Sequence, residues 1–347
     1  MKFAKTQKIV LNGFGSYLGA QQGCLIVKDK QKNVQKYPLF ENLVGEIQVK
    51  PGNSISTSAL CACAQWGINL LITSPRGKPL ASLKAIDDDS HVKTRICQYQ
   101  ALTNGKGIDI AKQVVYGKAQ GENELLKKYG LRQHDLVKIK ESIDNIAGGS
   151  DIEQVRKKLL SIEGHFSENY FQAIWPVFPK VVRGAADKRM TWKAYDIVNN
   201  LFNLSYTFLK WRVHVAIIHS KLDPFGGYLH SEQFGKPSLV LDLIEVYRYL
   251  ADNHLLQFTK DLNKKDFEFK IENFSSSKIG KRQYLKKDLA DKLMEDLNNY
   301  FESKVDIPRI RHGYKSEIET LIGEEAGLLA KYLRGETGKW SPRIASL

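Results

Sequence analysis

Short apolar runs alternate with polar positions over about the first 85 residues, and turn-forming residues separate them. The pattern predicts strands over 8–11, 24–27, 46–49 and 69–73, divided by Asn12-Gly13, Asp29, Pro51-Gly52-Asn53 and Pro75-Arg76-Gly77. Residues 58–67 suit an amphipathic helix ending on Gly67 somewhat better than a further strand, which would place Cys61 and Cys63 on a helix. Gly13, Gly15 and Gly19 lack the strand-to-helix setting of a dinucleotide fingerprint, and hairpin glycines explain them better.

Beyond about residue 90 the period lengthens to that of a helix. Ser150-Asp151-Ile152-Glu153 has the pattern of a capping box, and Ile152, Val155, Leu159, Ile162, Phe166 and Tyr170 follow as an apolar stripe. Glu163 lies on the edge of that stripe, facing the protein body, and Gly164 beside it would let another element approach closely. Residues 194–222 are apolar on most faces, as a central core helix is, and Asp223-Pro224-Phe225-Gly226-Gly227 ends them. A further apolar helix starts near Pro237-Ser238, and the polar stretch 263–279 is expected to form an exposed hairpin or loop. The fold class is therefore α+β with two domains: a β-rich domain over 1–88 and an all-α domain over 89–347. There is no internal repeat.

Composition narrows the partner. The 347 residues carry 52 Lys and Arg against 38 Asp and Glu, a net charge of +14. Residues 1–95 hold 13 of these bases against 6 acids, so the first domain is the most cationic for its size. Such a surplus favours a nucleic acid or another polyanion, and a merely solubilising basic surface is the plainer alternative. A hydrophobic share of 42% excludes general disorder. No apolar run reaches bilayer length and no signal-like apolar core follows the N-terminal lysines, so a cytoplasmic protein with no membrane partner is expected. Cys24, Cys61, Cys63 and Cys97 do not have zinc-knuckle spacing, and buried reduced thiols are expected. A His-Glu-x-x-His motif, a Gly-x-Ser-x-Gly elbow and a Walker A loop are all missing, which weighs against a protease, a serine hydrolase and a P-loop NTPase.

Three segments carry candidate chemistry. Ile162-Glu163-Gly164, Gly226-Gly227-Tyr228-Leu229-His230 and Leu241-Asp242-Leu243-Ile244-Glu245 each set an ionisable side chain in an apolar or glycine-rich context. On a helix Asp242 and Glu245 share a face that Arg248 continues; an ordinary ion-pair stripe would look the same, but the apolar flanks argue for an enclosed site. Carboxylates with one imidazole suit Mg²⁺ or Mn²⁺, with positions left for phosphate oxygens. Arg183, Lys188 and Arg189 ahead of the core helix, and Lys278, Lys281, Arg282, Lys286 and Lys287 later, are candidate DNA contacts or solvated surface.

In order and spacing these segments resemble the CRISPR-associated integrase family of spacer acquisition. The likeness runs through Leu11-Asn12-Gly13-Phe14-Gly15-Ser16-Tyr17-Leu18-Gly19, Gly52-Asn53-Ser54-Ile55-Ser56 and Ala64-Gln65-Trp66-Gly67-Ile68. It continues through Glu163-Gly164 with Tyr170-Phe171, and Asp196-Ile197-Val198-Asn199-Asn200-Leu201 with Tyr206. Leu222-Asp223-Pro224 through His230, and Ser238-Leu239-Val240-Leu241-Asp242-Leu243-Ile244-Glu245 with Arg248, complete it. His165-Phe166 and Val246-Tyr247 depart from the family pattern beside the ligand positions.

The resemblance implies a homodimer formed through the β-rich domain and one Mg²⁺ or Mn²⁺ per subunit held by Glu163, His230 and Glu245, with Asp242 as a further catalytic acid. Tyr170 and Arg248 join the basic residues as candidate DNA contacts. The implied activity is that of a metal-dependent endonuclease and integrase, joining the 3′-OH ends of double-stranded spacer DNA to the CRISPR repeat by transesterification, with a small companion adaptation subunit as partner. A basic architectural DNA-binding protein and a phosphodiesterase of small substrates are the competing readings.

Overall fold

A computed structural model describes residues 7–41, 44–83, 90–146, 151–184, 186, 188–191, 194–275, 278–307 and 315–347. The chain divides into two compact units, Met1–Val92 and Lys93–Leu347. The expected boundary at 88/89 and the expected capping residue Ser150 lie outside the described residues.

The first unit contains β1 (Gln7–Leu11), β2 (Tyr17–Gln21), β3 (Cys24–Lys28), β4 (Val34–Pro38), β5 (Val44–Val49), β6 (Ser54–Ile55), α1 (Thr57–Gln65), β7 (Asn69–Thr73) and β8 (Pro79–Leu83). They form two four-stranded sheets, ordered β1-β5-β7-β8 and β4-β3-β2-β6. In the first sheet β5 runs parallel to both neighbours, so Ile9, Ile47 and Leu70 fall side by side and point into one core with Leu18, Leu25 and Ala59. Asn53 explains the glycine-rich segment before β2. Its side-chain amide donates to the carbonyls of Leu11, Gly13 and Lys50, and its oxygen accepts from the Ser16 amide. One side chain thus ties the two turns together, and the absence of a Cβ on Gly52 lets the Phe14 ring lie against it.

Helix α1 is capped by the Ser56 hydroxyl, which accepts from the Ala59 amide. On this helix Cys61 faces outward while Cys63 is buried, and burial pushes the Cys63 thiol up to about 11. All four cysteines are free.

The helical unit carries α2 (Ser90–Gln100), α3 (Lys106–Lys128), α4 (Leu136–Asp144), α5 (Ile152–Ile174), α6 (Lys180–Arg183), α7 (Ile197–His219) and α8 (Ser238–Phe258). There follow an antiparallel hairpin of β9 (Phe267–Ser275) and β10 (Lys278–Leu285), α9 (Lys287–Phe301), the short pair β11 (Lys304–Asp306) and β12 (Lys315–Glu317), and α10 (Ile318–Leu333). Helix α8 is buried along almost its whole length and packs between α3 and α7.

Glycine decides how near α3 comes to α8. A Cβ on Gly121 would lie 2.5 Å from the Tyr249 ring and 3.1 Å from the Val246 carbonyl oxygen. Gly117, one turn earlier, lies against Pro342 and Val246. The close approach expected at Gly164 is not found, since nothing lies within 4 Å of a Cβ placed there. The small residues sit on the opposing helix instead, where a 3.6-residue period brings Gly117 and Gly121 onto one face.

Candidate active site

The segment that follows α7 is held by buried donors and acceptors. Gly227 lies against the backbone of Ser238, where a Cβ would come within 2.6 Å of its carbonyl carbon. Arg156, buried on α5, donates from Nε to the Tyr228 carbonyl (2.8 Å) and from Nη2 to the Gly227 carbonyl (2.9 Å). Gln98 of α2 donates to the carbonyls of Asp223 and Gly226 and accepts from the Asp223 amide. The loop therefore reaches His230 with little freedom left.

Asp242 completes that arrangement from the first turns of α8. Its carboxylate accepts from the amides of Tyr228, Leu229 and His230, and Oδ1 also lies 2.8 Å from His230 Nδ1. Its side chain is fully buried. An acid in this position keeps the proton on Nδ1 and leaves the Nε2 lone pair free for an ion, as partners of ligating histidines do.

One turn further along α8, Glu245 is 5% exposed and flanked by two cations. Arg248 Nη2 lies 2.7 Å from Oε1, and Lys118 Nζ, from α3, lies 2.8 Å from Oε2. Each Glu245 oxygen thus faces one cation. Burial alone would raise the Glu245 carboxyl, but Arg248 and Lys118 outweigh it and hold the group down at about 2.

Lys118 also pairs with Glu163, which α5 presents from the other side. The ammonium, 4% exposed, thus stands between the two acids. Burial works against its charge, yet Glu245 and Glu163 prevail and raise its pKa. Ser167, one turn after Glu163, donates to it at 3.0 Å and lies 3.3 Å from Glu122. Glu122, one turn after Lys118, lies 2.9 Å from His134 Nε2, and burial raises its carboxyl.

Beyond Arg248 the same face of α8 carries Asp252. It accepts from the hydroxyls of Tyr170 and Tyr206, both at 2.7 Å. The Arg248 guanidinium lies over the Tyr206 ring at 4.9 Å and Arg189 lies over the same ring at 5.4 Å. Arg189 is further fixed by Asn199 and Asn203.

The structure therefore brings Glu163 and Glu245 together at Lys118, with Arg248 on the other oxygen of Glu245, and ties His230 to Asp242 one turn before Glu245 on α8. Among the described residues no three His, Cys, Asp or Glu side chains already form a group able to hold a metal ion. The donor set still suits one: two carboxylates brought to a single cation, and an imidazole whose Nδ1 faces Asp242. Tyr170 is buried and bound to Asp252, so its hydroxyl is not at the surface. Arg183 is half-buried and Lys188 and Lys281 are exposed. Arg282 is committed to Glu272 and the Ala194 carbonyl, while the Lys278 side chain lies outside those described. Lys118, Glu122, His134, Arg156, Ser167 and Asp252 were missed from sequence. The signal for the first two was available: Gly117-Lys118 and Gly121-Glu122 repeat at a spacing of four in an apolar stretch.

The fold and this enclosed cluster of acids and bases define a two-unit α+β protein with a buried charged centre in its helical unit. A family model, CRISPR associated protein Cas1, matches residues 9–288. The CRISPR-associated endonuclease Cas1 2 of Pyrobaculum aerophilum is 31% identical over 257 residues, covering 74% of this chain and 83% of its own. Among solved structures, a casposase bound to integration product superposes with a TM-score of 0.69 at 19% identity, covering 97% of this chain and 98% of its own. A chain of a partial Cas6-RT-Cas1–Cas2 complex does so with a TM-score of 0.69 at 17% identity, covering 98% and 99%. The chain belongs to the Cas1 family. Among its described residues no helix is long and apolar enough to cross a membrane.

Proposed function

We propose that this chain is the metal-dependent integrase and endonuclease of CRISPR adaptation, joining the 3′-OH ends of new spacer DNA to the repeat. The observation that carries the reading is the convergence of Glu163 and Glu245 on one cation, beside an imidazole whose Nδ1 is committed to Asp242. Glu163, His230 and Glu245 would hold Mg²⁺ or Mn²⁺. When bound, such an ion stabilises the charge that develops on a phosphodiester under attack. In the reaction the spacer 3′-oxygen forms a bond to a repeat phosphorus as the bond from that phosphorus to the repeat's own 3′-oxygen breaks. The attacking hydroxyl loses its proton and the departing oxygen gains one. Water in place of the 3′-hydroxyl gives strand cleavage.

The residues divide the work by position. Asp242 orients His230 and is a positioning acid, because its oxygens are taken up by three backbone amides and the imidazole. Arg248 keeps Glu245 ionised and is fixed over Tyr206. Unit by unit, residues 1–88 supply dimer contacts and much of the duplex binding, in keeping with their positive surplus, and residues 89–347 supply the chemistry. Two DNA ends need two sites, so a homodimer is the least assembly that can act. A companion adaptation subunit is supported by the likeness to a chain of the Cas1–Cas2 complex, a likeness of fold.

The test is strand transfer of a short duplex into a repeat-bearing target, with Mn²⁺ and with EDTA. Glu163→Ala, His230→Ala and Glu245→Ala should each abolish product while duplex binding stays within about threefold, since bases carry affinity and the ligands carry chemistry. Full activity in EDTA, or parallel loss of binding and activity in folded variants, would instead mark these residues as structural.

A further inference from the structure

We propose that Lys118 is a resident counter-cation that holds down the affinity of this site for divalent ions until a DNA phosphate arrives. The inference rests on the ligand assignment above and deepens it.

Charge balance carries the argument. Glu163 and Glu245 bring two negative charges into an enclosed space, and Lys118 and Arg248 bring two positive ones. These two cations already offset the two carboxylates. A divalent ion that takes both carboxylates has to share their oxygens with the ammonium, and it adds two positive charges where water can do little to screen them. Glu122 offers no ready relief, because its oxygens are engaged with His134 and Ser167. A phosphodiester does offer relief, since it delivers negative charge to the same place. Metal and DNA should therefore bind cooperatively, each raising the affinity for the other by the same factor.

Geometry keeps Lys118 at this post. Gly117 and Gly121 lock α3 against the elements around it, with Gly121 pressed to the α8 backbone, so the ammonium can leave by side-chain rotation but not by drift of the helix. Both acids are held by other groups as well. Glu245 has Arg248 on its other oxygen, and Glu163 is also bound by Ser167.

The test measures Mn²⁺ binding to the full-length chain by electron paramagnetic resonance, with blunt duplex DNA present or absent and DNA alone as the blank. Wild type should bind Mn²⁺ about tenfold or more tightly with DNA than without it. Lys118→Met, which keeps the stem and removes the charge, should bind tightly without DNA and gain little from it. Lys118→Arg should behave as wild type. Thermal unfolding gives a second readout. K118M should melt lower in EDTA, where its acids lack their partner, and Mn²⁺ should raise its midpoint more than it raises that of wild type. Wild-type affinity unchanged by DNA, or K118M binding no tighter than wild type, overturns the proposal. The wild-type comparison needs no variant to fold. Failure of the ligand assignment looks different: Glu163→Gln would then bind Mn²⁺ as wild type does.

Discussion

Asp242 Oδ1 accepts the backbone amide of His230 at 2.8 Å and lies 2.8 Å from Nδ1 of the same residue. One oxygen thus fixes both where the histidine begins and which way its ring turns. The remaining oxygen accepts from Tyr228 and Leu229, so a single carboxylate closes the loop from α7 onto α8. Leu239 and Val246, one turn to either side, are fully buried and put this acid on the inner face, where a complete set of donors makes it tolerable.

Asp242→Asn is the first test of that arrangement. An amide retains one acceptor oxygen but turns a donor toward amides that need an acceptor, and it no longer holds the Nδ1 proton. Strand transfer should fall by about 10–100-fold through loss of ligand orientation. Thermal stability should drop as well, by about 1–3 kcal/mol for the amides left unpaired. Rates and melting curves on the same preparation separate the two effects. Activity at the wild-type level would show that His230 needs no such orientation.

The two glycine sites give opposite expectations. Gly121→Ala places a methyl group 2.5 Å from the Tyr249 ring and 3.1 Å from a backbone oxygen that cannot yield easily. Overpacking of this kind costs about 1–3 kcal/mol, and it also pushes Lys118 away from Glu245. Gly164→Ala meets nothing within 4 Å and should stabilise by up to about 1 kcal/mol through helix propensity alone. Melting temperatures of both variants decide the matter, and equal shifts would contradict the packing described for α3 and α8.

Much of this architecture could be read from the sequence because it rests on local rules. The strands at 8–11, 24–27, 46–49 and 69–73 lie within β1, β3, β5 and β7, and the apolar stretches 194–222 and from Pro237 became α7 and α8. Residues 263–279 did begin a hairpin, which continues to Leu285. In the first unit strands β2, β4, β6 and β8 were missed. Their exposed positions carry mixed residues, and in β2 Gly19 breaks the alternation. At the site, the acids and His230 stood out by contrast with their neighbours. Lys118 and Glu122 were marked only by the glycine before each, because a lysine and a glutamate four apart otherwise look like a solvated pair until α8 is laid over them. Nor does sequence show that Asp252 reaches across to Tyr170 and Tyr206, because each partner lies on a different helix.

Salt should report where the chain meets DNA. If the surplus of bases in residues 1–95 lies along the duplex, affinity should fall steeply between 50 and 200 mM salt, by about 10³-fold or more for six or more phosphate contacts. Neutralising Lys28 and Lys36 together should flatten the slope while leaving the metal requirement of strand transfer unchanged. A slope that does not respond would place the main contacts in the helical unit instead.

Asp252 supplies a prediction with a definite sign. Burial raises its carboxyl from 3.8 to about 7, even though hydrogen bonds from Tyr170 and Tyr206 and the charge of Arg248 pull the other way. The folded chain therefore holds this proton more tightly than the unfolded chain does. Its contribution to stability is full below about pH 4 and is lost as pH rises through about 7. Glu245 has the opposite sign: held at about 2, it contributes above the ordinary carboxyl range and loses that contribution only in strong acid. Between pH 5 and pH 8 the Asp252 effect should dominate the difference between wild type and Asp252→Asn, which cannot titrate. Wild type should lose about 2–4 kcal/mol relative to D252N over that interval. The expected measurement is a pair of urea unfolding series at pH 5 and pH 8. The two midpoints should differ more for wild type than for D252N. Parallel behaviour of the two proteins would mean that Asp252 is already ionised at pH 5, with Arg248 as its true counter-charge.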